Sequence, residues 1–384
     1  MNQQIYLDFN STTPIDESVA QRIHDVHRMQ WMNPSSQHQT GQAARRFIED
    51  AKQNCLRLIG AKRDTFPADE MYFTSGGTES NNLAVLGMTR HGQQLIISDV
   101  EHPSVAEAAN EAARRGALVR RIPVDSNGVI RLEKLGELLE SAQTSLVSVI
   151  WVNNETGVIQ PVDQIAELCR MHQVPLHLDA VQAVGKIPVH FRQCGADLLT
   201  ITPHKFYGPR GIAGLVAKPG IQLTPFIFGG HQQLDIRPGT LDAALISGME
   251  LSLEKAVTSQ QDHWNQLLDF RSHFLERLYA ECTVEVFVNG DLNLCSPHTL
   301  NLSFPGIERQ TLLLAGDVAG LAFSTGSACS SGSSEPSPVL VAMGLGQRRV
   351  ESAIRLSFGK TLSVENLSTA ACVLSEITSE LKQF

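Results

Sequence analysis

Short apolar runs rich in β-branched residues alternate with helical patterns from about residue 71 to residue 218. This alternation predicts a mostly parallel β-sheet whose strands are joined by crossover helices. The predicted strands include 71–73, 95–98, 118–123 and 146–152, and the predicted helices between them include 81–88, 106–115 and 132–139. In open sheets of this kind, ligands bind beyond the carboxyl ends of the strands. We therefore predict an α/β domain whose functional residues follow its strands.

Polar side chains do follow these strands, and two of them form an informative pair. Asp179 comes at the end of one buried run, and Lys205 comes just past the end of the next. A lysine amine can hold pyridoxal phosphate (PLP) covalently, and a carboxylate can keep the pyridine nitrogen of that cofactor protonated. The alternative is an ordinary ion pair on a loop. Polar residues at successive strand ends together favour a ligand-binding site over an isolated ion pair. They are Thr78, His102, Asn154, Asp179, Gln182, Thr202, His204 and Lys205.

A glycine pair lies between the first strand of this region and the helix that follows it. Gly76 and Gly77 precede Thr78, so free backbone N–H groups and a hydroxyl meet at a helix N-terminus. Such a turn can cradle a phosphate. The alternative is a glycine-rich turn with a threonine cap, since the Walker lysine and the dinucleotide-binding glycine spacing are both missing.

Composition limits the remaining classes of function. A formal net charge of −9 argues against nonspecific nucleic-acid binding, and no apolar run approaches the roughly 20 residues that a membrane span needs. The N-terminus has no secretory pattern. The seven cysteines form no C-x-x-C pair, which favours reduced thiols over a disulfide framework or a metal site. We therefore expect a cytoplasmic protein without a bound metal, a membrane anchor or direct contact with nucleic acid.

The C-terminal part of the chain has a different texture. A long helix, predicted from about residue 243 to residue 279, leads to strands at 284–288, 299–304 and 354–358. We predict a large PLP-binding domain at 14–258 and a smaller α+β domain formed by 1–13 and 259–384. The smaller domain carries a stretch at 324–337 that is dominated by serine and glycine and contains Cys329. A thiol in such a stretch suits a nucleophile that must travel; the alternative is a linker with an incidental thiol.

Together these motifs resemble a known family, the cysteine desulfurases of the class V aminotransferase group. The resemblance extends from about residue 6 to residue 359. The matching motifs are Phe73-Thr74-Ser75-Gly76-Gly77-Thr78-Glu79-Ser80, Glu101-His102, Val152-Asn153-Asn154-Glu155, Asp179-Ala180-Val181-Gln182, His204-Lys205, Arg237-Pro238-Gly239-Thr240 and Ser327-Ala328-Cys329. The family has the fold-type I PLP-dependent architecture, and the long serine-rich stretch resembles its branch with a mobile cysteine loop.

The resemblance implies a role for each matching residue. Lys205 would form the Schiff base, Asp179 would pair with the pyridine nitrogen, and His102 would stack on the ring. Asn154 and Gln182 would contact the ring hydroxyl region. The phosphate would be held by Gly77, Thr78, Thr202 and His204, with Thr240 reaching it from the other subunit of a homodimer. Arg355 would bind the substrate carboxylate, with Asn33 nearby. Cys329 would take the sulfur, and His102 is the nearest candidate to assist its deprotonation.

The implied reaction converts L-cysteine to L-alanine and leaves a persulfide on Cys329. A sulfur-acceptor protein, either a scaffold or a sulfur carrier, would then receive the sulfur for iron–sulfur cluster assembly or for thiolation of cofactors or nucleic acids. Two departures leave the acceptor open: Pro203 stands where housekeeping members usually have glycine, and those members extend further beyond the position of Phe384. The alternatives are a selenocysteine lyase or a cysteine sulfinate desulfinase on the same fold. From another class, the alternative is a non-catalytic partner protein.

Overall fold

The computed structural model of the chain describes residues 4–62, 66–326 and 335–382. The strands are β1 (Ile5–Tyr6), β2 (Glu70–Thr74), β3 (Gln94–Ser98), β4 (Leu118–Ile122), β5 (Thr144–Ile150), β6 (Leu176–Asp179), β7 (Leu198–Ile201), β8 (Ala213–Ala217), β9 (Phe287–Val288), β10 (Thr299–Ser303), β11 (Leu321–Ala322) and β12 (Ala353–Ser357). The helices are α1 (Glu17–Met29), α2 (Gln39–Leu58), α3 (Gly77–Met88), α4 (Pro103–Arg114), α5 (Leu132–Ser141), α6 (Val162–Met171), α7 (Ala243–Thr258), α8 (Gln260–Glu281), α9 (Arg309–Val318), α10 (Pro338–Ala342), α11 (Gln347–Glu351) and α12 (Val364–Leu381).

The largest sheet has the strand order β2-β8-β7-β6-β5-β3-β4. Strand β8 runs antiparallel to both of its neighbours, while β3, β4, β5, β6 and β7 pair in parallel. The predicted α/β class with a mostly parallel sheet is therefore confirmed. The link from β7 to β8 contains only a short 3-10 turn, at Pro203–Lys205, and too few residues for a crossover helix, which explains why β8 is reversed.

Helices cover both faces of this sheet, so its inner strands are apolar on both sides. Helices α3 and α4 pack on one face through residues such as Leu83 and Val105. On the other face, α2, α6 and α7 contribute residues such as Ile48, Ile165 and Ile246 to the main core. Strands buried on both faces read as continuous apolar runs, which is the pattern that predicts them in the sequence.

A second core lies under the smaller sheet, which has the order β12-β10-β9. It contains Leu7 and Phe9 from the N-terminal stretch together with apolar residues of α8, α12, β10 and β12. The predicted division into two domains stays a prediction. Two helices from the C-terminal part of the chain pack on the large sheet: α10 and α11 contribute Leu340 and Val350 to the main core.

The single long helix predicted over 243–279 is two helices instead. Helix α7 ends at Thr258, and Ser259 leaves the helical conformation, with φ −97° and ψ 9°. Thr258 Oγ1 donates to the carbonyl of Glu254, and Ser259 Oγ donates to that of Lys255. Side-chain hydroxyls that bond to carbonyls four residues back compete with the helix and bend it. Within the described ranges, no helix is both long and apolar enough to cross a membrane.

Candidate active site

A cavity of about 310 Å³ opens at the carboxyl ends of β5, β6 and β7, beside the N-termini of α3 and α4. This cavity, called the cleft below, is large enough for a small cofactor and substrate. Its lining includes every one of the strand-end residues predicted from the sequence, namely Thr78, His102, Asn154, Asp179, Gln182, Thr202, His204 and Lys205. Gly77 and Arg355 line it as well.

Asp179 is fixed at the base of the cleft by hydrogen bonds to both carboxylate oxygens. Its Oδ1 accepts from the backbone N–H of Val181 over 3.0 Å, and its Oδ2 accepts from Asn81 Nδ2 over 2.7 Å. Asn81 Nδ2 also donates to Ser104 Oγ, and that hydroxyl lies 2.8 Å from His102 Nδ1. One asparagine thereby connects the carboxylate to the imidazole.

His102 is positioned by its place at the start of α4. It is the N-cap residue of that helix, and its Nδ1 accepts from the backbone N–H of Ser104 over 3.1 Å. Burial lowers the pKa of His102, and the charges of Lys205 and Arg355 lower it further against the opposing charge of Asp179. The ring is therefore neutral at neutral pH. Because Nδ1 accepts a hydrogen bond, the proton lies on Nε2.

Lys205 extends toward the N-terminal stretch. Its Nζ donates to the carbonyls of Asn10 and Ser11 over 2.5 and 2.7 Å. Gln182 reaches the same stretch, since its Nε2 donates to the Asn10 carbonyl and its Oε1 accepts from the buried Lys186. Burial lowers the pKa of Lys186 well below its usual value, and the charges of Lys205 and Arg355 add to this. The carbonyls of Asn10 and Ser11 hold the Lys205 amine at the edge of the cleft.

Pro203, which is expected from the sequence to replace the glycine of housekeeping members, fits the local fold. It is the first residue of the 3-10 turn that carries His204 and Lys205. Proline is well tolerated there because its N–H would have no partner inside the turn and its φ is already suitable.

The N-terminus of α3 opens on the cleft, where the sequence predicts a phosphate cradle. Helix α3 begins at Gly77 after the N-cap residue Gly76, and no described side chain caps it. A Cβ at Gly77 would lie 3.2 Å from a methyl group of Val181, so a side chain there would crowd this wall of the cleft. His204 adds an imidazole whose pKa burial lowers to about 3, with the charge of Lys205 contributing. A neutral His204 can donate a hydrogen bond to an anion.

Arg355 closes the other end of the cleft. Its Nη2 donates to Asp8 Oδ1 over 2.7 Å and to Ser11 Oγ over 3.0 Å, and its Nη1 donates to the Asn154 carbonyl. Its Nε is buried and has no partner among the described residues. An unsatisfied buried guanidinium donor carries a desolvation cost, which a carboxylate ligand would relieve.

Three predicted site residues do not lie in this cleft. Asn33 and Thr240 are exposed on the surface of their own chain. Cys329 lies outside the described residues. The roles of all three stay predictions.

Several residues of the cleft carried no signal in the sequence. Asn10 and Ser11 contact Lys205 through backbone carbonyls, which any residue type could supply. Asn81 is four residues beyond Gly77 on α3 and so faces the same side of the helix, a spacing that could have identified it. The ion pair between Glu79 and Arg237 was missed too, although both residues belong to quoted motifs.

The donor set of the cleft fits PLP. The helix N-terminus and His204 suit a phosphate, Asp179 suits a protonated pyridine nitrogen, and Lys205 supplies the amine. The buried Oδ1 atoms of Asn10 and Asn81 have no partner among the described residues and are available to a polar ligand. No cluster of side chains suited to a metal ion occurs in the parts of the chain that the structure describes.

Comparison with known proteins agrees with this geometry. The family model for aminotransferase class-V matches residues 5–369. The cysteine desulfurase IscS of Dictyoglomus turgidum is 36% identical over all of this chain and 96% of its own length, and that of Rickettsia akari is 38% identical over all of this chain and 95% of its own. A solved NifS-like protein from Rickettsia africae superimposes with a TM-score of 0.89 at 30% identity, covering 98% of this chain and 100% of that one. This chain therefore belongs to the aminotransferase class-V family, in its cysteine desulfurase group.

Proposed function

We propose that the chain is a PLP-dependent cysteine desulfurase. The sulfur of L-cysteine passes to the thiol of Cys329, giving L-alanine and a persulfide, so that the two thiol groups become one persulfide and one C–H bond. The convergence of Lys205, Asp179 and Arg355 on one cleft carries this proposal, because these side chains suit an amine attachment, a pyridine nitrogen and a substrate carboxylate.

Each residue of the cleft has its own role in the proposed reaction. PLP, when bound, supplies an electron sink that acidifies the Cα–H of an amino acid. Asp179, held by Asn81 and by the N–H of Val181, would provide the fixed negative charge that keeps the ring nitrogen protonated. Lys205 Nζ would hold the cofactor, and the same amine would move the Cα proton of the substrate. His102 lines the cleft as a neutral ring with its proton on Nε2, so it would begin as a proton donor.

This protonation state refines the predicted role of His102. A neutral ring whose Nδ1 accepts from Ser104 cannot take the Cys329 proton at Nε2 without first losing the proton already there. His102 therefore assists the thiol only after it has given up its own Nε2 proton. Arg355 would orient the substrate through its carboxylate, and the Nε of Arg355, which has no partner among the described residues, can donate to that carboxylate.

A homodimer completes the site in this proposal. The exposed Thr240 follows a loop whose side chains Phe228 and Leu234 are 83% and 69% exposed, and Trp31 near Asn33 is 79% exposed. Pro34 and Ser35 border the same surface groove as residues 231–234. Large exposed apolar side chains grouped on one face favour an interface. We place Thr240 in the phosphate cradle of the partner subunit, and Asn33 on the same face.

The location and the sulfur acceptor are also proposals. The six cysteines of the described ranges are free thiols, which fits the reducing cytoplasm. We propose that a scaffold or sulfur-carrier protein receives the persulfide sulfur, for iron–sulfur cluster assembly or for thiolation of cofactors or nucleic acids. Pull-down from a cell lysate after persulfide loading would identify this acceptor.

Replacement of the proposed nucleophile tests the function. Cys329→Ser swaps an ionisable thiol for a hydroxyl that stays protonated at neutral pH, so alanine and sulfide production from L-cysteine should stop while PLP still binds. Cys372→Ser, at a half-buried thiol of α12, is the matched control and should keep full activity. Sulfide release by Cys329→Ser at the parent rate would refute the mechanism. Parallel assays with selenocysteine and cysteine sulfinate decide between the three substrates.

A further inference from the structure

Lys186 is a buried amine that the reaction described so far does not use. It is 5% exposed, and among the described residues its amine has one hydrogen-bond acceptor, the Oε1 of Gln182 at 2.6 Å. That partner is an amide and not a carboxylate, while Lys205 and Arg355 place two positive charges nearby. A buried amine among like charges is costly, and an apolar side chain of similar size would avoid the cost. The amine itself therefore needs an explanation.

The chain after β6 places Lys186 beside Gln182. Strand β6 ends at Asp179, and residues 180–187 continue in turns with backbone hydrogen bonds between residues four apart. Side chains four residues apart lie on the same side of such a turn. Gln260, at the start of α8, donates through its Nε2 to the Lys186 carbonyl over 3.0 Å. The backbone of Lys186 is thus fixed relative to the end of β6.

The amide of Gln182 is 97% buried between two different partners. Its Nε2 donates to the carbonyl of Asn10 over 3.0 Å, and its Oε1 accepts from Lys186. A carbonyl can only accept, so the reversed amide would place two acceptors together at Asn10. Asn10 is itself held, because its N–H donates to Ser357 Oγ and its Nδ2 donates to Thr299 Oγ1. Without Lys186, the buried Oε1 would lose its donor in this orientation.

This orientation leaves one N–H of Gln182 for a ligand. Nε2 carries two N–H groups, and among the described residues only the Asn10 carbonyl accepts from it. Gln182 lines the cleft together with Lys205, whose amine shares the Asn10 carbonyl. Lys186 lies outside the lining of the cleft and borders a second cavity of about 500 Å³. An effect of its hydrogen bond on a ligand in the cleft therefore passes through Gln182.

We propose that Lys186 is a positioning residue that fixes the Gln182 amide, so that an N–H of Gln182 donates to an anionic oxygen of the ligand in the cleft. This proposal rests on the proposed function, in which that ligand is PLP. One ring oxygen of PLP ionises, and it lies beside the group that would bond to Lys205. A donor to that oxygen stabilises its negative charge, so the bound cofactor releases its titrating proton at a lower pH.

The test follows the cofactor and not the transfer of sulfur. Equilibrium dialysis gives the affinity for PLP, and a pH titration of the visible absorbance of the bound cofactor gives a midpoint. Lys186→Met keeps the length of the side chain and removes its donor. We expect the affinity for PLP to fall by about twofold to tenfold, the effect of one lost hydrogen bond. The midpoint should rise by about 0.3 to 1 pH unit, since a tenfold change corresponds to one unit.

A double-mutant cycle shows whether Lys186 acts through Gln182. Gln182→Ala alone should raise the midpoint by a similar amount, and adding Lys186→Met to it should produce no further rise. A shift of equal size in both backgrounds would mean that Lys186 acts directly through its charge, which overturns the proposal. An unchanged midpoint in either single variant overturns it as well.

A matched lysine controls for the substitution. Lys218→Met removes an amine that pairs with Asp197 outside the cleft, and it should keep the parent midpoint. If Lys186→Met fails to fold, Lys186→Gln takes its place, because its side chain is one atom shorter and loses the contact with the Gln182 amide. Failure of the proposed function is distinguishable, because it appears as full turnover in Cys329→Ser and leaves the titration of bound PLP unaffected.

Discussion

The side-chain amide of Asn81 donates to Asp179 Oδ2 over 2.7 Å and to Ser104 Oγ over 2.9 Å, and all three side chains are buried. A hydrogen bond to a charged group contributes about 1.5–3 kcal/mol. Asn81→Ala would remove that bond from the carboxylate and would also leave Ser104 without one of its donors. Asp179, the residue proposed to pair with the ring nitrogen, therefore depends on a neighbour on helix α3.

We expect Asn81→Ala to weaken PLP retention by about tenfold or more while the protein stays folded. Equilibrium dialysis of the variant against PLP, followed by absorbance, measures this loss. Asn110→Ala makes the same change at an exposed position of α4 and should behave as the parent. Equal retention in both variants would show that Asp179 does not need Asn81.

Lys205→Ala should abolish both covalent attachment of the cofactor and turnover, since Lys205 is the only lysine among the described residues that line the cleft. Borohydride reduction of the parent protein followed by peptide mapping should label Lys205. Lys186 is a buried amine nearby, and a label on it instead would refute the assignment. Lys218→Ala, at the end of β8, is a control that should keep the attachment.

The stability of the protein should depend on pH through Glu101. Burial raises the pKa of this carboxyl to about 8, although hydrogen bonds from Ser98 and from the N–H of Ile150 oppose the shift. The folded state thus holds a proton that the unfolded state releases above its ordinary pKa of 4.5. The free energy of unfolding therefore falls as pH rises from about 4.5 to about 8.

Glu101→Gln removes this titration. Relative to the parent, the variant should gain stability as pH rises from 5.5 to 8, measured by urea unfolding at several pH values. Glu107→Gln, at an exposed position of α4, controls for the substitution itself. A stability difference between Glu101→Gln and the parent that does not vary with pH would contradict the prediction.

Thr240 should act across the dimer, and mixed dimers can show it. In a dimer of one Lys205→Ala subunit and one Thr240→Ala subunit, action in trans leaves one complete site and one with both defects. Action within the same chain leaves no complete site. We expect such mixed dimers to recover about half of the parent activity.

Differently tagged subunits, co-expressed and purified through both tags, provide the mixed dimer. A mixture with Thr224→Ala in place of Thr240→Ala controls for the substitution itself, because Thr224 is also exposed and comes before the loop that contains Phe228 and Leu234. If the mixed dimer is no more active than homodimers of the two single variants, Thr240 does not act in trans. A PLP-bound monomer in sedimentation would also contradict the trans role.

The sequence was sufficient for the strand-end residues because parallel strands deliver their carboxyl ends to one edge of a sheet. It was insufficient for contacts that involve the backbone. Asn10 and Ser11 hold Lys205 through carbonyls, and no residue type signals such a contact. The break at Ser259 was missed because apolar periodicity continues through it, while two hydroxyls turn the backbone.

Contacts between distant segments were also beyond sequence reasoning. Glu155 and Ser337 are polar residues of two separate segments, and only the fold brings them together. The reversed strand β8 followed from a link after β7 that is too short for a helix, a feature that the alternating pattern alone did not reveal. The local sequence pattern thus identifies the residues at the strand ends, whereas the residues that hold them in place are known only from the packing of the fold.

The N-terminal stretch 8–11 contacts both ends of the cleft. Asp8 pairs with the guanidinium of Arg355, and two residues later the same stretch receives the Lys205 amine. The proposed carboxylate-binding arginine and the proposed cofactor-binding lysine therefore share one short support. A substitution or deletion within this stretch would disturb both ends of the cleft at once.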